Sequence, residues 1–182
     1  MPKLLPLSSQ SDAAIEALLD AAFGPDRHGR TAYAIRSGMR WLPRFSYAIL
    51  RGDGEFAGLL QSWPVALIDE DKGTEIPLIM VGPVAVMPQW QQGGYGRMMM
   101  DRLVADADDM ADAPLMMIGD PEYYGRFWGF SAESTGGWKA PGPVEMRRLL
   151  MRGVKQAPAL PASSAGMLGP RQLHPAETGR PA

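Results

Sequence analysis

The stretch QWQQGGYGRMMMDRL, Gln89 to Leu103, crowds Gly93, Gly94 and Gly96 directly before a run of good helix formers. Glycine inside a helix costs roughly 0.5–1 kcal/mol relative to alanine, so the cluster marks a helix start. An apolar run ends near Met87-Pro88, and the local reading is strand, turn, helix. The first amides of a helix have no partner in their own helix, and the macrodipole places partial positive charge there. Glycines without Cβ let a ligand come close to those amides. Together these features make a cradle for a phosphate anion, to which Gln91 and Arg97 would add donors. A loop that only turns a corner is the competing reading.

Two familiar phosphate loops do not fit. The dinucleotide fingerprint G-x-G-x-x-G has Met99 at its third glycine position, and the chain contains no G-K-[ST] tripeptide. A third pattern does. VAVMPQWQQGGYG resembles the acetyl-coenzyme A motif of the GCN5-related N-acetyltransferases, V-x-P followed by [QR]-x-x-G-x-[GA], through Val86, Pro88, Gln91, Gly94 and Gly96. The resemblance implies that the loop Gln91, Gln92, Gly93, Gly94, Tyr95, Gly96 and Arg97 holds the coenzyme A pyrophosphate. It also implies that Val84, Ala85 and Val86 pair through their backbone with the pantetheine arm, where their strand splays from its neighbour. A second stretch, GDPEYYGRFWGF, is similar to the signature G-D-x-x-Y-Y-x-R-F-G-F of one bacterial branch of that family. Gly119, Asp120, Tyr123, Tyr124, Arg126, Phe127, Gly129 and Phe130 match, and Trp128 is an extra residue. In a helix one extra residue rotates the residues after it by about 100° unless the last turn absorbs it. The resemblance covers roughly residues 30 to 152.

The implied activity is acetyl transfer from acetyl-coenzyme A to a primary amine, by direct attack in a ternary complex. The thioester is already activated, so no enzyme nucleophile is required, in keeping with the absence of cysteine. The amine must lose a proton, the oxyanion needs a donor and the departing thiolate needs a proton. Tyr124 is the family-like proton donor, since a phenol can donate to a thiolate; packing under its helix is the alternative. The oxyanion donor is expected from the backbone near Val86. No general base stands out. Asp120 and Glu122 fall near the expected acceptor cleft, but Asp120 reads better as a helix cap. RSGMRWLPRF, with Arg36, Arg40 and Arg44, falls in the family's variable acceptor region and would favour an anionic acceptor. The rival from another class is a catalytically silent module that binds acyl-coenzyme A as a sensor. The expected acceptor is a small-molecule or peptide amine; no metal, nucleic acid or membrane partner is expected, and a homodimer is left open.

These residues need a scaffold. The chain has 182 residues, 46% hydrophobic, with a net charge of −2, enough for one packed domain and without bulk attraction to nucleic acid or anionic membranes. The lack of cysteine fits a reducing cytoplasm. His28 and His174 are the only histidines, which excludes a histidine-rich metal site. Lys3 to Leu7 reads as a strand, and a helix follows that Ser11 or Asp12 caps and Gly24 stops. A helix from Thr31 to Gly38, a hairpin around Gly52-Asp53-Gly54, a buried strand bent at Pro83, a helix to about Ala111 and the strand PLMMIG come next. DPEYYGRFW reads as a short helix, with GFSAE and VEMRRLLMRGV as closing strands. Met98, Met99, Met100, Leu103, Val104, Ala107 and Met110 form an apolar stripe, and the acids Asp101, Asp106, Asp108, Asp109 and Asp112 a solvated face. The expected fold is α/β: a single acyl-coenzyme A N-acyltransferase-type domain over 1–154, its mixed central sheet with splayed strands flanked by helices. Residues 155–182 form a Pro/Ala/Ser/Gly-rich tail unable to build a core of its own.

Overall fold

The computed structural model describes residues 1–171. Eight strands form one mixed sheet: β1 (Lys3–Pro6), β2 (Tyr47–Leu50), β3 (Phe56–Asp69), β4 (Thr74–Val86), β5 (Leu115–Ile118), β6 (Gly137–Lys139), β7 (Leu149–Arg152) and β8 (Ala165–Pro170). The main path runs β1-β2-β3-β4-β5-β7. Every neighbouring pair on that path is antiparallel except β4 and β5, whose parallel pairing needs the crossover helix between them.

Four helices cover the sheet: α1 (Asp12–Phe23), α2 (Thr31–Ile35), α3 (Tyr95–Met110) and α4 (Pro121–Trp128). Ser11 caps α1 by accepting from the Ala14 amide at 3.1 Å. Ile15, Leu18 and Leu19 of α1 pack on Leu59 and Ala85, and Ile35 of α2 on Val65 and Leu78. On the opposite face Met99, Met100, Leu103 and Ala107 of α3 bury against Leu60, Ile79 and Val81. Alternation of side chains along β3 and β4 thus separates two cores. Met98 and Met110, expected in the apolar stripe of α3, are exposed; they fall off the face that meets the sheet.

Three expectations are corrected. GFSAE is not a strand; it contributes only the bridge between Ser131 and Met151. The sheet does not end at residue 154, because β8 pairs with both β3 and β6. Gly166 permits that pairing, since a Cβ there would lie 2.5 Å from the Ile68 carbonyl oxygen. The rest of the tail, 172–182 with His174, lies outside the described residues. The acids of α3 are not simply solvated: Asp101 accepts from the Trp128 indole, Asp106 from Tyr47 and Arg102, and Asp108 from both terminal nitrogens of Arg152.

Candidate active site

β4 carries the geometry that makes the site. Its register with β3 runs unbroken from Asp69↔Thr74 to Ser62↔Val81, then slips by one residue, resuming at Leu60↔Val84. Gly82 and Pro83 form this bulge, with Gly82 at φ 127°, a conformation that favours glycine. Below the bulge Ile79 donates its amide to Pro114, toward β5. Above it Met87 donates to Ala57, toward β3. By two-residue alternation Ala85 also faces β3, and the polar groups of Val84 and Val86 are turned to the opposite edge. On β4, β5 pairs only with Ile79 and Met80, so among the described residues that edge beside Val84–Val86 is open. The expected splay is therefore present, and of the three residues assigned to it, Val84 and Val86 present their hydrogen-bonding groups and Ala85 does not.

The glycine loop lies at the top of the same edge. Gly94 is the N-cap of α3 at φ 74°, and nothing lies within 4 Å of where its Cβ would be. Met98 makes the first helical bond, to the Gly94 carbonyl at 3.1 Å. The amides of Gly94, Tyr95, Gly96 and Arg97 thus precede the first helical bond and have no partner among the described residues. The Gly93 amide is spent on the Trp90 carbonyl at 3.0 Å. Gly93 instead leaves room for Tyr95, whose ring would lie 2.9 Å from a Cβ there. Gln91 and Gln92 are exposed, and Arg97 stacks 4.2 Å over the Phe127 ring, tying the loop to α4.

Tyr124 faces the splay from α4. Its ring lies against the backbone of Gly119, where a Cβ would come within 2.7 Å of it, and edge-on to Phe130 at 6.4 Å. Its hydroxyl has no hydrogen-bond partner among the described residues. Burial raises its pKa above the usual 10, Tyr123 and Asp120 add to the rise, and Arg148 opposes it, so the group is a protonated donor at neutral pH. The extra residue Trp128 completes the last turn of α4, and Gly129 closes it at φ 75°. Trp128 is buried and donates to Asp101 at 2.8 Å. Asp120 is the N-cap by position, but its side chain makes no capping bond.

The bulge of β4, as far as Val84, and Tyr124 line a cavity of about 800 Å³. Met80 to Val84, Met117, Ile118 and Tyr124 form one wall; Phe23, Arg30, Tyr33, Arg36, Val144, Glu145 and Arg148 form the other. Sequence reading gave Glu145 and Arg148 no site role and placed them in the closing strand VEMRRLLMRGV. That strand starts only at Leu149, and Glu145 and Arg148 belong to the 3₁₀ turn before it, which the fold brings to the cavity. Of Arg36, Arg40 and Arg44, only Arg36 lines it. Arg44 lies over Phe45 and 3.6 Å from Asp112. Trp63 and Trp41 line a smaller cavity of about 260 Å³ behind Arg36, whereas Trp90 packs under Arg51 and Trp138 is buried. No group of three or more metal-ligating side chains occurs among the described residues, and no helix there is long and apolar enough to cross a membrane.

No protein-family model matches the sequence, and no curated protein matches it either. Solved structures do match. The chain is similar to a GNAT family N-acetyltransferase (YhbS) from Escherichia coli in complex with CoA, at 18% identity and TM-score 0.65, covering 99% of this chain and 92% of that one. A GNAT family acetyltransferase from Brucella melitensis in complex with acetyl-CoA matches at 24% identity and TM-score 0.56, over 85% and 97% of the two chains. A probable N-acyltransferase from Enterococcus faecalis matches at 17% identity and TM-score 0.54, over 73% of this chain and 33% of that one. With its bulged β4, its splay and its crossover helix, the chain has the fold of the GNAT N-acetyltransferases.

Proposed function

We propose that the chain is a cytoplasmic N-acetyltransferase that moves an acetyl group from acetyl-coenzyme A to a primary amine held in the 800 Å³ cavity. One observation carries the reading: Val84, on the open edge of β4, lines the cavity together with Tyr124, and its side chain lies 3.7 Å from where a Cβ on Gly96 of the free-amide loop would be. The donor set fits the cosubstrate. Successive backbone N–H groups at a helix start suit a diphosphate, and a free strand edge suits the amides of a pantetheine arm. Two of the solved neighbours contain CoA or acetyl-CoA.

Acetyl-coenzyme A supplies an activated thioester. The chain's residues do the rest. The Gly94–Arg97 amides fix the diphosphate end, and the edge of Val84 and Val86 aligns the arm toward the bulge. The same edge offers a backbone donor to the carbonyl oxygen as charge builds there. Tyr124 stands ready to protonate the departing sulfur. Glu145 is the one carboxylate lining the cavity and is the candidate to accept the amine's proton, directly or through water.

The test is free-thiol release from acetyl-coenzyme A with a panel of primary amines, beside calorimetric titration of coenzyme A. Binding together with amine-dependent release supports the reading. Binding with no release from any amine favours the silent acyl-coenzyme A module. Absence of binding removes both.

A further inference from the structure

Arg36 is 5% exposed, yet no carboxylate pairs with it among the described residues. Tyr33 lies 4.0 Å from its guanidinium carbon on one face, and Trp63 lies 3.9 Å on the other. One Nη1 donor reaches the Gly82 carbonyl at 3.2 Å, an oxygen also held by the Trp63 indole at 2.8 Å. A guanidinium has five N–H donors in a planar fork. With both faces covered and only the Gly82 carbonyl and the Tyr33 side chain drawing on its donors, others remain along its edge, and Arg36 lines both the 800 Å³ and the 260 Å³ cavity. Burial lowers its pKa to about 10, partly offset by Tyr33, and it stays cationic at neutral pH.

The neighbouring arginine shows the contrast. Arg27 is equally buried but bonds Glu16, Tyr33 and Asp20. Burying a cation without a contacting carboxylate is costly, and Arg36 has none in contact among the described residues: Glu16, bonded to Arg27, acts on it only through space. The charge balance of the larger cavity points the same way. Arg30, Arg36 and Arg148 line it without an ion pair among the described residues, against Glu145 as its one carboxylate. The smaller cavity includes Asp12 and Glu16, so an anion is expected on the larger side. Gln61, which lines the smaller cavity with Trp41 and Trp63, is 3% exposed and its Oε1 is unpartnered among the described residues, an acceptor suited to an N–H or O–H group and not to an anion.

We propose that the acceptor amine carries a carboxylate, which docks edge-on against the Arg36 guanidinium while its amino group faces the bulge at Gly82–Val84. The inference rests on the acetyl-transfer reading and names its substrate class. It also bears on the proton. A cationic wall repels an ammonium that has no anion beside it, and it favours loss of the proton from one that is held there. A purely cationic acceptor meets the repulsion without a compensating bond.

The test uses matched sets of amines on full-length protein: α- and ω-amino acids, their carboxamides, and the amines lacking the carboxyl group. Thiol release is expected to show a kcat/KM at least tenfold higher for the acids, with the difference carried by KM. Arg36→Gln should abolish that preference while leaving the dissociation constant of coenzyme A within about twofold. Equal or better use of carboxamides or bare amines by wild-type protein overturns the proposal, whether or not the variant folds. So does a preference that survives in a folded Arg36→Gln protein. If coenzyme A binds but no amine releases thiol, the transfer reading fails separately. Calorimetric titration of the coenzyme A-bound protein with the same acids and carboxamides then decides: acid-selective binding lost in Arg36→Gln sustains the carboxylate site, and no selectivity removes it.

Discussion

The glycine loop and the cavity beside it are built by opposite means. At the start of α3 the hydrogen-bonding groups are backbone amides, with Gly94 exposed at positive φ and open space before it. In the cavity, beside α2, the groups are side chains, buried and stacked: Arg36 between Tyr33 and Trp63, over the Gly82 carbonyl. A main-chain cradle recognises a feature every coenzyme A derivative shares, and its geometry depends on few side chains. A side-chain pocket can change its ligand by changing one residue. Under the proposed function the difference fits a constant cosubstrate and a particular acceptor, with Tyr124, which lines the cavity, as the proposed proton donor at the reacting centre. Variants at the three places should therefore fail differently.

The largest effect is expected at the reacting centre. Tyr124→Phe keeps the ring against Gly119 and removes the hydroxyl. Turnover should fall by about 10²-fold or more, the scale of general-acid catalysis, while coenzyme A affinity and acceptor KM hold. Steady-state kinetics with calorimetry checks this; unchanged turnover removes Tyr124 from the mechanism. The sign of the pH dependence comes from its raised pKa. The donor stays protonated below about pH 10, so wild-type kcat should rise with pH as the amine deprotonates, with no descending limb before that point.

A smaller but selective effect is expected at the cradle. Gly94 is left-handed, a conformation that costs a residue with a Cβ roughly 1–2 kcal/mol and suits asparagine better than valine. Gly94→Val should weaken coenzyme A binding about tenfold or more and leave acceptor KM unchanged, while Gly94→Asn should retain most of the affinity. Arg36 variants should show the reverse pattern. If valine and asparagine at 94 behave alike in calorimetry, the loop merely turns a corner and the contrast between loop and cavity collapses.

How much of the site is legible in the sequence divides along the same line. Gly94 and Gly96 before a helix, and Gly119 beside Tyr124, are local constraints of backbone shape, and shape leaves a mark at fixed spacing. The strand bent at Pro83 is visible for the same reason. Arg36 is visible only as one of three nearby arginines, because what singles it out is Tyr33 on the helix it caps, Trp63 on β3 and Gly82 on β4. The partners of Asp101 and Asp108 lie 27 and 44 residues further along the chain, so nothing local distinguishes them from surface acids. β8 is hidden by composition: Gly166 and Gly169 resemble a linker, but their smallness lets the strand approach β3.

Gly119→Ala tests the support of Tyr124. A Cβ there would sit 2.7 Å from the Tyr124 ring, closer than carbon atoms approach, so the ring must shift. The expected outcome is a fall in kcat of about tenfold, since small displacements of a positioned group are costly, with coenzyme A affinity retained. Turnover equal to wild type would mean that the hydroxyl tolerates displacement and that its position is not what the glycine protects.

The smallest effect is expected where the structure only braces. Asp108 and Arg152 pair through both terminal nitrogens at 3.0 Å, and Arg152 Nε donates to the Trp128 carbonyl at 2.7 Å, joining α3, the end of α4 and β7. The hydrogen bonds from Arg152 hold the Asp108 carboxyl below its usual range, against an opposing effect of burial. A lowered folded-state pKa gives stability that is present above about pH 4, the unfolded value, and lost as pH falls through the folded one. Asp108→Asn should therefore lower stability near neutral pH by about 1 kcal/mol. The wild-type and variant unfolding curves should converge as the medium is acidified below about pH 4. Coenzyme A affinity and acceptor preference should stay put, because Asp108 and Arg152 belong neither to the glycine loop nor to the cavity lining. A change in either would mean that the cradle and the pocket are coupled through α3 and α4, and their independence would have to be given up.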